Sequence, residues 1–383
     1  MLKLDTKLIH EGEDEARAKG AVAPPIYQSA TFESRPGESY DEIRYARLNN
    51  TPNHLAVQKK ISRVAGGEAC VVAASGMAAI STALLAVLRS GEHVLVQDCL
   101  YGGTHSLLTE DLPAAGITHS VIDAKRPETW GEALRPETRA IYVESITNPT
   151  LDVACLKEAA EFANSHGLIS LIDNTFCSPV NFRPLDIGFD IELHSATKYL
   201  NGHSDIVAGC VIGGEELVRK VTHRLNHLGG SLDPHACFLL HRGLKTLGLR
   251  VTRHNENGLF VARFLSSHKD VTRVLYPGLE DHPDYHRASG LFSGYGGVVS
   301  FEVEGGATRA DAFIAALELA MFAPSLGGVE TLITRPVLTT HSGLSEPDRE
   351  AAGISDSLVR IALGVESEAD LCLDLDQALA ASG

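Results

Sequence analysis

Positive charge is in short supply in this 383-residue chain: 33 Lys+Arg stand against 49 Asp+Glu, a formal net charge of −16 with the 17 histidines counted neutral. Nucleic acids and anionic membranes both demand clustered cations, so neither is expected as the main partner. Long apolar runs are also missing. The longest apolar-leaning stretch, Met77 to Leu88, is interrupted by Ser81 and Thr82 and is too short to span a bilayer. The start, Met1-Leu2-Lys3-Leu4-Asp5, has no apolar segment of the signal-peptide type. Seven cysteines (Cys70, Cys99, Cys155, Cys177, Cys210, Cys237 and Cys372) are scattered, and no Cys-x-x-Cys pair occurs. That usage fits reduced thiols in a cytoplasmic protein better than a disulfide framework or a thiolate metal site. Two histidine pairs at helical spacing, His223/His227 and His282/His286, lack the glutamate of a His-Glu-x-x-His site, and Pro283 interrupts the second pair, so no metal centre is expected. Gly294-Tyr295-Gly296-Gly297 precedes a strand pattern rather than a helix, and no Gly-x-Ser-x-Gly elbow occurs. Internal repeats and low-complexity tracts are absent as well.

What is present is a globular composition, 44% hydrophobic, in a chain long enough to bury a sizeable core and to form two or three domains. Residues 1–60 read as an irregular arm, broken by Pro24-Pro25 and Pro36-Gly37. From Val71 onward short apolar runs alternate with helical stretches: Val71–Ala74, His93–Gln97, Ile117–Asp123, Ala140–Glu144, Leu168–Ile172 and Ile206–Ile212, with helices between them such as Gly76–Leu88 and Ala154–His166. Continuous apolar strands separated by helices predict an α/β unit over 61–245, its mostly parallel sheet covered on both faces. Beyond about Leu244 a long helical stretch (Val251–Leu265), a strand at Val298–Val303, a helix at Ala310–Leu319 and a strand at Leu358–Leu363 predict a smaller α+β domain over 246–383.

Ligands of parallel sheets bind at the carboxyl ends of the strands, so chemistry is sought just after each run. Asp173 ends the run Leu168–Ile172, where a carboxylate is costly to bury unless it has a partner. Lys198 follows the short strand Asp190-Ile191-Glu192-Leu193 and is flanked by the hydroxyls of Ser195 and Thr197; a buried lysine is a nucleophile with a lowered pKa. Ser75-Gly76-Met77 joins a strand to a helix, and helix N-termini bind phosphate through their free N–H groups. Each has a plainer reading: a cap or core salt bridge for Asp173, a loop lysine for Lys198, simple N-capping for Ser75. Together they describe a pyridoxal phosphate site, in which the lysine forms an imine with the cofactor aldehyde and the acid keeps the pyridine nitrogen protonated.

At these residues the chain resembles the cystathionine γ-synthase/γ-lyase family of pyridoxal 5'-phosphate enzymes, from about Tyr45 to the C-terminus. The segment Ser195-Ala196-Thr197-Lys198-Tyr199-Leu200-Asn201-Gly202-His203-Ser204-Asp205 is the most specific piece. Tyr45-Ala46-Arg47, Tyr101-Gly102-Gly103-Thr104, Ile172-Asp173-Asn174-Thr175-Phe176, Ser325-Leu326-Gly327-Gly328-Val329-Glu330 and Gly353-Ile354-Ser355 follow in the same order. The resemblance implies the fold of type I pyridoxal phosphate enzymes, with a mostly parallel seven-stranded sheet, a smaller C-terminal domain and an N-terminal arm that serves a second copy of the chain. It implies that Lys198 carries the cofactor and shuttles protons, that Asp173 pairs with the ring nitrogen, and that Tyr101 stacks on the ring and takes part in proton transfer. Ser75, Gly76, Met77, Ser195 and Thr197 would bind the phosphate, Tyr45 and Arg47 would reach the phosphate of a neighbouring subunit, and Arg360, helped by Ser325 and Asn148, would hold the substrate α-carboxylate.

The implied activity is γ-elimination or γ-replacement at cystathionine or an O-acyl-homoserine, in a homotetramer built as a dimer of dimers. Methionine γ-lyase and homoserine-ester sulfhydrylase are the alternatives, with cystathionine β-lyase and an aminotransferase ranked behind them. The β-lyase branch commonly has Trp where Phe176 stands, methionine γ-lyases have Cys in place of Gly103, and many γ-synthases and γ-lyases have Glu in place of Pro324.

Overall fold

The computed structural model describes residues 2–14, 17–37, 39, 42–339, 342, 349 and 352–383. Gly353-Ile354-Ser355 falls within them. A seven-stranded sheet occupies the first two thirds of the chain: β1 (Ala69–Ala73), β2 (His93–Gln97), β3 (Thr118–Ile122), β4 (Thr138–Glu144), β5 (Ile169–Asp173), β6 (Ile191–His194) and β7 (Gly209–Gly213). Their order is β1-β7-β6-β5-β4-β2-β3. The strands from β6 across to β3 run parallel, as the buried apolar runs predict, whereas β7 lies antiparallel to both β6 and β1.

Alternation along each strand covers both faces. Val72, Leu95, Ile141, Val143 and Ile172 enter one core, while Val71, Val94, Val96, Ala140 and Leu171 enter the other. One helix matters most for position. Ser75 is its N-cap, its Oγ accepting the Ala78 N–H at 3.0 Å, and the helix Gly76–Val87 starts directly after β1.

A second sheet holds five strands: β8 (Val271–Leu275), β9 (Val298–Val303), β10 (Met321–Phe322), β11 (Leu332–Thr334) and β12 (Leu358–Ala362), in the order β10-β11-β12-β9-β8. Val299, Phe301, Val359 and Ile361 pack with Val261, Phe313 and Leu375 from the helices Leu247–Ser266, Gly306–Ala316 and Glu368–Ala381. The strands expected at Ile206–Ile212 and Leu358–Leu363 and the helix expected at Ala310–Leu319 shift by a few residues at their ends.

The first sixty residues depart from the expected irregular arm. Helices form at Leu4–His10 and Pro52–Ala65, the second crossing the boundary drawn at residue 60. Pro52 stands in its first turn, where the missing N–H costs nothing, and Ala56, Val57, Lys60, Ile61 and Val64 line the buried face. Lys60 at the middle of that face hides the stripe in the sequence. Its Nζ donates to the Leu8 carbonyl at 2.7 Å and pairs at 3.1 Å with Glu13, which also meets Lys245 at 3.0 Å, so the first helix docks on its own chain. Among the described residues no helix is long and apolar enough to cross a membrane, and no group of three or more His, Cys, Asp or Glu could hold a metal ion. His223 and His227 do lie on one helix, Glu215–Leu228, with ring centroids 4.3 Å apart.

Candidate active site

The ends of β5 and β6 adjoin. Asp173 terminates β5 and faces Leu193 across the parallel pairing with β6. After β6 the chain turns through Ser195-Ala196-Thr197-Lys198. Ser195 N–H donates to Thr175 Oγ1 at 2.8 Å, and Thr175 in turn gives Asp173 Oδ1 two hydrogen bonds, from its N–H at 2.9 Å and its hydroxyl at 2.5 Å. Burial raises the Asp173 carboxyl, and the two Thr175 donors oppose that rise. Lys198 and Asp173 are therefore held in one network through a residue, Thr175, whose role the isolated sequence does not announce.

The segment after β6 is a rigid turn. Arg250, 5% exposed, donates to the Tyr199 carbonyl at 2.8 Å and to the Gly243 carbonyl at 3.0 Å. Gly202 adopts φ +72°, and a Cβ there would lie 1.9 Å from Arg250 Nη1. Tyr199 Oη accepts the Gly297 N–H at 2.9 Å, and Asn201 Nδ2 donates to Asp205 at 2.7 Å. Most of the Ser195–Asp205 motif thus builds the scaffold that aims one amine.

That amine, Lys198 Nζ, donates to Ser325 Oγ at 2.7 Å. Burial, aided by the Arg360 cation, lowers its pKa to about 8. Ser325 itself has φ +113°, an uncommon conformation for a residue with a Cβ, costing on the order of 1–3 kcal/mol. Arg360, 2% exposed at the middle of β12, holds it there: Nη2 donates to the Ser325 carbonyl at 2.9 Å and Nη1 to Asn148 Oδ1 at 2.9 Å. Arg360 Nε is buried without a hydrogen-bond partner, and desolvation lowers the guanidinium pKa to about 10. A buried guanidinium with an unpartnered N–H is suited to a carboxylate.

The helix start at Gly76 abuts the same turn, since a Cβ on Gly76 would meet Ser195 Cβ at 2.8 Å and Oγ at 3.0 Å. The Gly76 and Met77 amides are first-turn N–H groups without intrahelical acceptors, and Ser195 Oγ stands beside them. The Ser75 hydroxyl accepts the cap bond. The Thr197 hydroxyl donates to the Ala208 carbonyl at 3.1 Å, which leaves Ser195 the readier hydroxyl donor. Across from this helix start, Gly103 lies between Met77 Sδ and the Tyr101 ring, each 2.8 Å from where its Cβ would be. A cysteine at 103 would push one of them aside. Tyr101 is 41% exposed, and its N–H donates to Glu144 Oε1 at 2.7 Å.

Contacts thus connect Ser75, Gly76, Met77, Tyr101, Asp173, Ser195, Thr197 and Lys198 to Ser325, Arg360 and Asn148. Tyr45 and Arg47 lie elsewhere on the chain: Arg47 Nη1 donates to the Asn226 carbonyl at 2.9 Å and sits 5.7 Å from the Tyr45 ring, which is 38% exposed. Glu144, buried beside Asp173, escaped the sequence reading although it ends an apolar run just as Asp173 does. Beside Ser325 and Thr197 a cavity of about 550 Å³ opens, with Ile206, Val207, Met321, Ala323 and Pro324 along its wall.

The residues fit pyridoxal 5'-phosphate. A lysine of lowered pKa suits its aldehyde, a carboxylate on the adjoining strand end suits its ring nitrogen, and free helix N–H groups beside a serine suit its phosphate. Residues 5–380 match the model of the Cys/Met metabolism PLP-dependent enzymes. The chain is 40% identical over 379 residues to the cystathionine γ-lyase of Bacillus subtilis (strain 168), with 99% of each chain covered. It is 39% identical over 380 residues to a cystathionine β-lyase of Lactococcus lactis subsp. cremoris (strain MG1363), again with 99% of both covered. The solved structure of a cystathionine γ-lyase from Lactobacillus plantarum complexed with L-serine superposes with a TM-score of 0.95 at 38% identity, over 99% of each chain. In sequence, fold and site chemistry, then, this chain belongs to the pyridoxal phosphate-dependent enzymes of cysteine and methionine metabolism.

Proposed function

We propose that the chain catalyses γ-elimination or γ-replacement on cystathionine or an O-acyl-homoserine, and that it works as a cytoplasmic homotetramer, a dimer of dimers. The observation that carries the reading is the Lys198 amine, lowered to about 8 and held between Ser325 and the Arg360 cation. Bound, the cofactor supplies an aldehyde for the substrate amine and a protonated pyridine ring that accepts electrons.

The residues do the rest. Arg360 grips the substrate α-carboxylate through its unpartnered Nε, with Asn148 and Ser325 fixing the fork. Lys198 Nζ, with a pKa near working pH, takes the proton from Cα and then moves a proton at Cβ, so that the γ-substituent can leave. Asp173 holds the proton on the ring nitrogen, its anion favoured by the Thr175 donors. Tyr101 covers the ring face and assists proton transfer to the leaving group. The amides of Gly76 and Met77, after the Ser75 cap, bind the phosphate together with Ser195 and Thr197. Tyr45 and Arg47 serve the phosphate of a second copy of the chain.

One observation favours a second reading within the same chemistry. Pro324 stands directly before Ser325 in the wall of that cavity and offers no charge to a distal ammonium, which suits methionine or an acyl ester, whereas Asp205 and Glu330 in the same lining suit the ammonium of cystathionine, so the substrate panel decides between them. Purified enzyme is to be assayed with cystathionine, methionine, O-acetyl-homoserine and O-succinyl-homoserine. Release of 2-oxobutanoate or thiol is the expected outcome, and amino-group exchange with keto acids in its absence would replace the reading with an aminotransferase. Lys198→Ala is expected to lose both the visible band of the bound cofactor and turnover. Retention of both would sink the assignment.

A further inference from the structure

The end of β2 and the end of β4 exchange hydrogen bonds in a reciprocal clamp. Glu144 N–H donates to Gln97 Oε1 at 2.7 Å, and Glu144 Oε1 accepts the Tyr101 N–H at 2.7 Å. Gln97 Nε2 also donates to the Cys99 carbonyl, so the short connection from β2 to Tyr101 is tied at two points to strand-end side chains that are themselves buried. The Tyr101 ring beyond it is 41% exposed, so its place over the site depends on how its backbone is held. The helix Gly102–Ser106 begins directly after that anchored amide.

Glu144 also sits at the same register level as Asp173 on the neighbouring parallel strand, where strands run about 4.8 Å apart. Two carboxylates so placed do not both ionise readily. Thr175 gives Asp173 two donors, whereas Glu144 receives one amide and, among the described residues, forms no ion pair. The other ionisable groups facing Glu144 are Tyr142 on its own strand and Cys99 on the β2 connection, both neutral at working pH because burial raises them.

The geometry points to Glu144 as a positioning residue for Tyr101, acting as a neutral carboxyl that holds the Tyr101 amide and leaves Asp173 as the charged member of the pair. Burial and the Asp173 carboxylate together push Glu144 well above the usual carboxylate range, in keeping with that division. The inference rests on the role of Tyr101 proposed above. The single variant Tyr101→Ala tests that role independently of any Glu144 variant: an unimpaired Tyr101→Ala would remove the role itself, whatever Glu144 does.

The experiment compares the wild type, Glu144→Gln, Glu144→Ala, Tyr101→Ala and the double variant Glu144→Ala/Tyr101→Ala, each as holoenzyme with pyridoxal phosphate. It reads the induced circular dichroism of the bound cofactor, and kcat/KM on whichever substrate the panel identifies. Glu144→Ala is expected to lower kcat/KM about 10- to 100-fold and to weaken the dichroism by about half or more, while Glu144→Gln, a neutral acceptor of the same shape, stays within about threefold of wild type. In the Tyr101→Ala background the further loss from Glu144→Ala should shrink to less than about twofold, because the two residues act as a unit. A wild-type Glu144→Ala, a Glu144→Gln as impaired as Glu144→Ala, or additive losses in the double variant would each overturn the proposal. Should Glu144→Ala not fold, Glu144→Gln decides: wild-type dichroism and rate support the neutral carboxyl, and loss of both removes it.

Discussion

Lys198 is the residue on which the proposed chemistry turns, and its environment makes a pH prediction. An exposed lysine titrates near 10.5; here burial and the Arg360 cation favour the neutral amine, lowering the value to about 8. Only the neutral amine attacks an aldehyde, so capture of pyridoxal phosphate by the apoprotein should accelerate about tenfold per pH unit below that value and level off above it. Following the rise of the visible band against pH tests this, and a rate still climbing at pH 10 would mean that the amine is unperturbed. At this scale the sequence was partly legible. Lys198, Asp173 and Ser75-Gly76 stand immediately after strand runs, where a parallel sheet presents its ligand site, so position alone singles them out. Arg360 carries no such mark. It sits in mid-strand, and only the fold brings its guanidinium to Asn148, 212 residues earlier. The role proposed for it, like those proposed for Tyr45 and Arg47, rests on family resemblance and not on local pattern. Glu144 carries the same strand-end mark as Asp173, but only the fold shows that its carboxyl meets the Tyr101 amide.

Among the elements, the turn after β6 shows how backbone constraint produces catalytic aim. Gly202 is required twice over, by a positive φ and by the close approach of Arg250. Gly202→Ala should therefore destabilise the enzyme by about 2–4 kcal/mol and weaken cofactor retention at Lys198. Thermal unfolding and gel filtration of the holoenzyme measure both, and an unchanged midpoint would show that Arg250 can give way. The parallel strands were legible because both faces are buried and the runs read as unbroken apolar segments. The antiparallel β7 was not, since direction depends on the route of the connection and leaves no trace in a strand's composition. The helix Pro52–Ala65 was hidden for another reason. Buried Lys60 interrupts its apolar face, and only tertiary pairing with Glu13 and the Leu8 carbonyl explains a lysine there.

For the whole molecule, the proposed sharing of sites between copies gives a test that needs no structure of the assembly. Lys198→Ala and Arg47→Ala should each be impaired alone. Mixed, unfolded and refolded together, they should regain about a quarter of wild-type activity, because half of the dimers are hybrids with one intact site. Failure to recover activity, with both variants folded, would place Arg47 at its own chain's site or at none. Only the start of the arm is tied to its own chain, where Leu8 packs in the core, whereas Val22 and Ile26 further along it are exposed.

The segment that follows β4 sets one more property of the molecule. Asn148 Oδ1 is held by Arg360, the Pro149 carbonyl by Ser300 Oγ at 2.7 Å, the Val153 amide by Asp284 at 2.9 Å and the Val153 carbonyl by Arg287 at 2.6 Å. Every one of these partners comes from the part of the chain that carries the second sheet. A fragment ending near residue 245 would keep the strands of the large sheet but leave four polar groups without partners, at about 1–3 kcal/mol for each that stays buried. The two sheets are thus not interchangeable modules. Neither can be dissected away while the other keeps these four hydrogen bonds, so the fragment is expected to be less stable than the same segment within the full chain.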